Sequence, residues 1–263
     1  MIRASTHVSI TKKRVRIMKF FMFISLLLGI SLNASAMDSA RKSQEDVIAS
    51  MISQQVKHQI PLEKSVSSIL RRYPEKVDQV VSIALERYPT QYQSIMAGAL
   101  HAEPVLACHV IELMLEADVA PASEIVRLAI EAEPAYAQEI VKAAALDDPA
   151  NIQNIVRVAI QSDPFVSDSV VKHTMKEFPE NFVDVLIGAI HAIPDQISNI
   201  VEYTIALFPS TSDEVVHTAI INSPESEHEK IIDSAIASGA NKEVVIESAT
   251  LAKAKVNQVE NKE

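Results

Sequence analysis

The chain has 263 residues, 48% of them hydrophobic and 22% charged, with only four Gly, one Cys and no Trp. That balance excludes disordered, collagen-like and disulfide-stapled chains. Four glycines also leave no material for the phosphate-cradling loops of dinucleotide or P-loop enzymes, which gather two or three glycines within about seven residues.

The first 36 residues carry Arg3, Lys12, Lys13, Arg14, Arg16 and Lys19 and no acidic residue, then an apolar run from Phe20 to Ile30, then Asn33-Ala34-Ser35-Ala36. Basic flank, short apolar stretch and small residues at Ala34 and Ala36 are the order of a secretory signal peptide cleaved after Ala36. A start at Met18 would keep Lys19, the run and the cleavage site, which leaves residues 1–17 as a possible untranslated extension. Eleven apolar residues span about 16 Å as a helix, against a hydrocarbon core of about 30 Å, so cleavage is expected rather than anchoring. An exported chain, periplasmic or extracellular, follows. Loss of six basic residues leaves 18 against 34 acidic ones, a net charge of −16. A phosphate backbone or an anionic membrane surface would be repelled, so nucleic acid is not an expected partner.

Residues 37–58 read as an N-terminal capping helix region, with apolar periodicity from Val47 to Val56. From 59 to 223 the chain is punctuated by proline. The twelve prolines stand at 61, 74, 89, 104, 121, 134, 149, 164, 179, 194, 209 and 224, and their last six spacings are all 15. Spacings of 17 and 13 around Pro121 cancel, because Val119 stands where a proline is due. With each proline position as zero, positions six and seven are apolar throughout, from Val80-Val81 to Val215-Val216. Positions ten and eleven follow, as in Ala84-Leu85, Ala129-Ile130 and Thr204-Ile205.

Apolar residues at positions three, six, seven, ten and eleven form one stripe of an α-helix. Proline lacks the N–H of a helix interior but is tolerated in the first turn, so each repeat predicts one amphipathic helix of about 11 residues. Asp148, Asp163 and Ser223 suit the N-cap, and Thr90-x-x-Gln93 and Ser226-x-x-Glu229 resemble capping boxes. A right-handed coiled coil would share the fifteen-residue period but needs uninterrupted helices. Helices this short are unstable alone and must stack. Tyr88, Phe178 and Phe208 before prolines in one phase, and Gly98-Ala99-Leu100-His101-Ala102 repeated as Gly188-Ala189-Ile190-His191-Ala192, point to helical hairpins of about thirty residues. Gly98 and Gly188 are expected at close helix approaches.

Residues 224–251 read as C-terminal capping helices and 252–263 as a polar tail. The fold class is therefore all-α, an α-solenoid. It resembles the HEAT and armadillo arrays in architecture alone, with units of about thirty residues instead of about forty. The signature residues of tetratricopeptide, ankyrin and HEAT repeats are absent, so no functional residue carries over.

Chemistry is sparse. His228-Glu229-Lys230-Ile231-Ile232 has Ile232 where a zinc protease needs its second histidine. His101 and His191 read as copied surface positions, and Asp147-Asp148 as helix-start charges. Cys108 is either buried as a small apolar residue or available for an intermolecular bond, and its place in Val105-Leu106-Ala107-Cys108 favours burial. No catalytic, metal or cofactor residue is assigned. The expected role is a non-enzymatic scaffold for a basic or mixed-charge protein partner, steered by the acidic surface. The alternative is a carrier of a lipid or other apolar ligand. Outward-facing Val183, Ile187, Ile193 and Leu207 are the candidate interaction patch.

Overall fold

The computed structural model describes residues 41–260, so the signal-peptide expectation and its Ala34 and Ala36 lie outside the described residues. The chain divides into two units, Met1–Ser53 and Gln54–Glu263. The first helix, α1, covers 41–57, with Ile48, Ala49 and Ile52 buried. The second unit is all-α: α2 (Leu62–Leu70), α3 (Val77–Arg87), α4 (Tyr92–Ala102), α5 (Ala107–Glu116), α6 (Ala122–Ala132), α7 (Ala137–Asp147), α8 (Ile152–Ser162), α9 (Ser167–Glu177), α10 (Phe182–Ala192), α11 (Ile197–Leu207), α12 (Ser212–Ile221), α13 (His228–Ala237) and α14 (Lys242–Glu260).

From α2 onward each helix packs on the next in sequence and on the one after that, so consecutive helices form hairpins and alternate helices form two rows. One row is α2, α4, α6, α8, α10, α12 and α14; the other is α3, α5, α7, α9, α11 and α13. This is the helical-repeat solenoid that the fifteen-residue period implies. The apolar pairs at positions six and seven are buried in all ten repeats, from Val80 and Val81 to Val215 and Val216.

The helix starts differ from expectation in one respect. Most prolines open a single 3-10 turn, and the α-helix begins three residues after the proline. The turn satisfies its own backbone: the Gln91 N–H donates to the Tyr88 carbonyl at 2.9 Å and the Asn151 N–H to the Asp148 carbonyl at 3.1 Å. With those donors already paired, side-chain caps are superfluous. Asp163 alone among the expected caps works as one, its carboxylate accepting from the Phe165 N–H at 2.9 Å. Asp148 makes no such bond, nor do the capping boxes at Thr90 and Ser226. Ser223 instead donates back to the Ile220 carbonyl.

A second kind of turn explains the broken proline spacing. Gln59, Asp118 and Gly239 adopt positive φ (61°, 49° and 92°) just before α2, α6 and α14. A left-handed residue ends the preceding helix and frees two more residues before the next begins. Pro61 and Pro121 follow such turns and stand two places late, as extended N-cap residues.

At the C-terminus the structure corrects the sequence reading. Residues 252–260, expected as a polar tail, continue α14, and Ala252 is fully buried. The run is rich in helix formers such as Ala and Lys, so helix continues where polarity suggested fraying.

Candidate interaction surface

Prolines 74, 104, 134, 164, 194 and 224 connect the α2 row to the α3 row, so their turns line one edge of the stack. At these turns the chain direction sorts side chains. The residue before the proline is extended, as proline requires of its predecessor, and at most of these turns its side chain leans toward the stack. Glu103, Glu133 and Asp163 are half-buried there, and Ile193 is 7% exposed. The residue after the proline stands outward.

Most outward residues at such turns are polar or small: Glu75, Ala135, Asp195 and Glu225. Two are large and apolar. Val105 is 67% exposed and Phe165 98% exposed. They sit in the equivalent turns before α5 and α9, with Ala135 in the turn before α7 between them. The backbone at Phe165 is fixed although the ring is exposed, because its N–H donates to the Asp163 carboxylate while its neighbour Val166 is buried. Covering such a ring would stabilise a complex by roughly 1.5–3 kcal/mol.

The ridge is acidic as well as apolar. Glu103, Glu133 and Asp163 stand two residues before Val105, Ala135 and Phe165 respectively. Among the described residues, no ion pair involves these three carboxylates. Arg127, the cation nearest in sequence to Glu133, is held by Glu124 at 2.7 Å and Glu131 at 2.8 Å. Hydrogen bonding to Arg127 pulls the Glu124 carboxyl below the usual range, so that cation is already committed.

One member of the patch expected from sequence faces inward. Ile193 belongs to the core, because it precedes Pro194 and therefore turns inward. Val183 and Ile187 share the outer face of α10 but are half-buried, as is Leu207 at the end of α11. Beside them Phe182 and Phe208 stack with ring centroids 4.9 Å apart, which gives this apolar stretch a structural purpose. Phe165 and Val105 were missed in their place. The signal was present: a large apolar residue directly after a proline, where the other repeats place small or polar ones, apart from Leu62 after the displaced Pro61, which is buried.

The titratable groups singled out from sequence are scattered. His101 reaches the Glu63 carboxylate at 3.3 Å, and His191 is exposed. His109 sits between Asp78 and Glu112. Burial opposes its protonation, but hydrogen bonds to both carboxylates prevail and raise it above the ordinary imidazole value. Cys108 is half-buried on the outer face of α5, not in the core as expected, because its helix position matches that of Asp78 and Asp168. Burial and the neighbouring Glu112 push its thiol up, which disfavours the thiolate. His228 is buried and contacts the Ile220 carbonyl through Nε2 at 3.1 Å.

Among the described residues no three His, Cys, Asp or Glu side chains group as a metal site. No described helix is long and apolar enough to cross a membrane. Open grooves of about 510 and 490 Å³ run between α2 and α4 and between α12 and α14, lined largely by polar and charged residues such as Glu63, Arg71, Asp213 and Glu247. Comparison with protein-family models, with curated proteins and with solved structures gives no match.

Proposed function

We propose that the protein is a non-enzymatic scaffold of the cell envelope that binds a basic or mixed-charge protein partner through the outer surface of its helical stack. The observation that carries this reading is the ridge at the proline turns, where Phe165 and Val105 are exposed beside Glu103, Glu133 and Asp163. The apolar stripes of the helices are consumed inside the stack, so this ridge is apolar surface left over after folding. Leu146 and Leu251 are also exposed, but as single residues, which is ordinary; Val105 and Phe165 differ in recurring at equivalent turns of one row, each beside a carboxylate. Export to the periplasm, or beyond the cell, rests on the leader sequence described above.

A carrier of apolar ligands draws less support. The two larger grooves are lined mainly by charged and polar side chains, which favour water over a lipid tail, and the more apolar one at Leu85, Leu113 and Val119 is smaller, about 400 Å³.

Affinity capture of the chain from cell-envelope extract and from growth medium tests the proposal, with bound proteins and lipids identified together. A stoichiometric protein partner released by high salt is the expected result. Bound lipid with no protein partner would overturn it in favour of the carrier.

A further inference from the structure

We propose that the ridge formed by the turns at Pro104, Pro134 and Pro164 binds an extended, cationic polypeptide segment that carries a basic side chain at every third residue. The inference rests on the scaffold reading above and names the ligand of that surface.

Three features of the ridge select this ligand. The first is charge. Each of the three turns presents a carboxylate, Glu103, Glu133 or Asp163, and no ion pair among the described residues occupies any of them. A segment with acidic side chains would be repelled, and a neutral one would leave the carboxylates half-desolvated without a partner. Asp163 accepts from the Phe165 N–H with Oδ1, and no hydrogen bond among the described residues engages its other oxygen.

The second feature is the pairing of each carboxylate with a hydrophobic or small neighbour two residues on, namely Val105, Ala135 and Phe165. Lysine and arginine are the side chains that match this pair, since their aliphatic stems cover apolar surface while the charged head reaches a carboxylate. At Phe165 a guanidinium can lie on the exposed ring face and pair with Asp163 together. Ala135 leaves room for a larger apolar residue of the ligand between the two bulkier positions.

The third feature is spacing. The turns belong to α5, α7 and α9, successive members of one packed row. Packed helices lie about 8–10 Å apart. An extended chain advances about 3.1–3.4 Å per residue, so side chains three residues apart recur at about the same interval. A helical ligand presenting side chains every 5–6 Å would match the spacing less well. The platform is also rigid before binding, because each turn closes its own backbone bond. The Leu106 N–H donates to Glu103, Tyr136 to Glu133 and Val166 to Asp163, at 3.0, 3.1 and 3.2 Å. Little order has to be imposed on the protein when the ligand arrives.

A fluorescein-labelled peptide of three Arg-Pro-Leu repeats, added to the full chain and followed by fluorescence anisotropy, tests the proposal. The expected result is saturable binding that weakens with salt and is absent for the matching Glu-Pro-Leu peptide. Phe165→Ser and Asp163→Asn should each weaken it at least tenfold, and Glu133→Gln several-fold. Leu146→Ser and Asp147→Asn, at the opposite end of α7, should leave it unchanged. Because Phe165 is almost wholly exposed, the thermal unfolding of Phe165→Ser should match that of the parent chain and exclude misfolding as the cause.

Binding insensitive to Phe165→Ser, or weakened equally by Asp147→Asn, would overturn the proposal and reduce the interaction to general charge attraction. Self-association abolished by Phe165→Ser, with no peptide binding, would overturn it in favour of a second copy, whose basic Arg71-Arg72-Tyr73 turn is the candidate counterpart. Capture of an envelope protein that survives Phe165→Ser would sink the ridge and leave the scaffold reading standing. Capture of nothing by either chain would sink both.

Discussion

Helices α8 and α10 approach closely, whereas α9 and α11, lying alongside in the other row, touch much less. The cause is one residue per helix. A Cβ on Gly188 of α10 would lie 2.4 Å from the Gln153 carbonyl oxygen of α8, so only glycine permits this separation. The same place in α11 holds Tyr203, and the position after it is Thr204 where most repeats have Ala. The Tyr203 ring instead fills the wider gap and carries the Lys172 ammonium 4.9 Å from its centroid. Its hydroxyl and that of Thr174 are buried without a hydrogen-bond partner. Burial accordingly raises the Tyr203 pKa. One fifteen-residue pattern therefore supports two packing distances, set by the size and polarity of positions nine and ten.

The contact at Gly188 is not isolated. A Cβ on Gly98 of α4 would likewise lie 2.4 Å from the Glu63 carbonyl oxygen of α2, and Ser248 of α14 donates to the Asp213 carbonyl of α12 at 2.6 Å. All three contacts join position nine of one helix to position four of the helix two before. These are the most closely packed pairs of that row. Ser248 shows how the contact adapts: a hydroxyl fits where a hydrogen bond rewards the approach, while the other two sites admit no side chain.

The most damaging change to this contrast is Gly188→Val, which must drive α10 away from α8. It should destabilise the chain by about 3 kcal/mol, read as a lowered midpoint in urea unfolding. Gly188→Ala should cost less, because its better helix propensity returns up to about 1 kcal/mol. Across the gap the sign reverses. Tyr203→Phe and Thr174→Val remove hydroxyls that lost water without gaining a partner, and each should stabilise by about 1 kcal/mol. A loss of stability would show that the hydroxyls are paired in solution. Ser248→Ala should destabilise by about 1 kcal/mol or less, since it deletes one hydrogen bond while keeping the close approach.

The smallest effect is electrostatic. The pKa of His109 is raised in the folded chain by Asp78 and Glu112, so its stabilising contribution is complete below the unfolded imidazole pKa of about 6.5. It is lost as pH rises through the higher folded value. Because the ring is partly exposed, solvent screening keeps the effect small. A slight fall in thermal stability between neutral and mildly alkaline pH is expected, and His109→Gln should remove it.

Local chemistry made much of this legible. Proline excludes itself from helix interiors, so the twelve prolines segment the chain. The apolar stripe must be buried, so the pairs at positions six and seven name the core in every repeat. Gly98 and Gly188, repeated ninety residues apart at one register position, marked a close approach before any partner helix was known. What failed was the reading of turn residues. Ile193 and Phe165 both flank a proline, and helical periodicity does not extend across the turn to say which side each faces. Cys108 failed for a related reason: its apolar neighbours in sequence lie in the turn, while its own position falls on the outer face of α5.

The sequence by itself thus determined an all-α repeat, its period, its breaks and its core, because these follow from the backbone limits of proline and the geometry of a single helix. Only the tertiary structure decided that alternate helices form two rows, that helix pairs within a row pack at different distances, and that the turn edge carries an acidic ridge capped by Phe165. Those features depend on which residues meet across thirty or more positions of chain, and on the extended backbone before each proline, which sends one neighbour inward and the other into solvent.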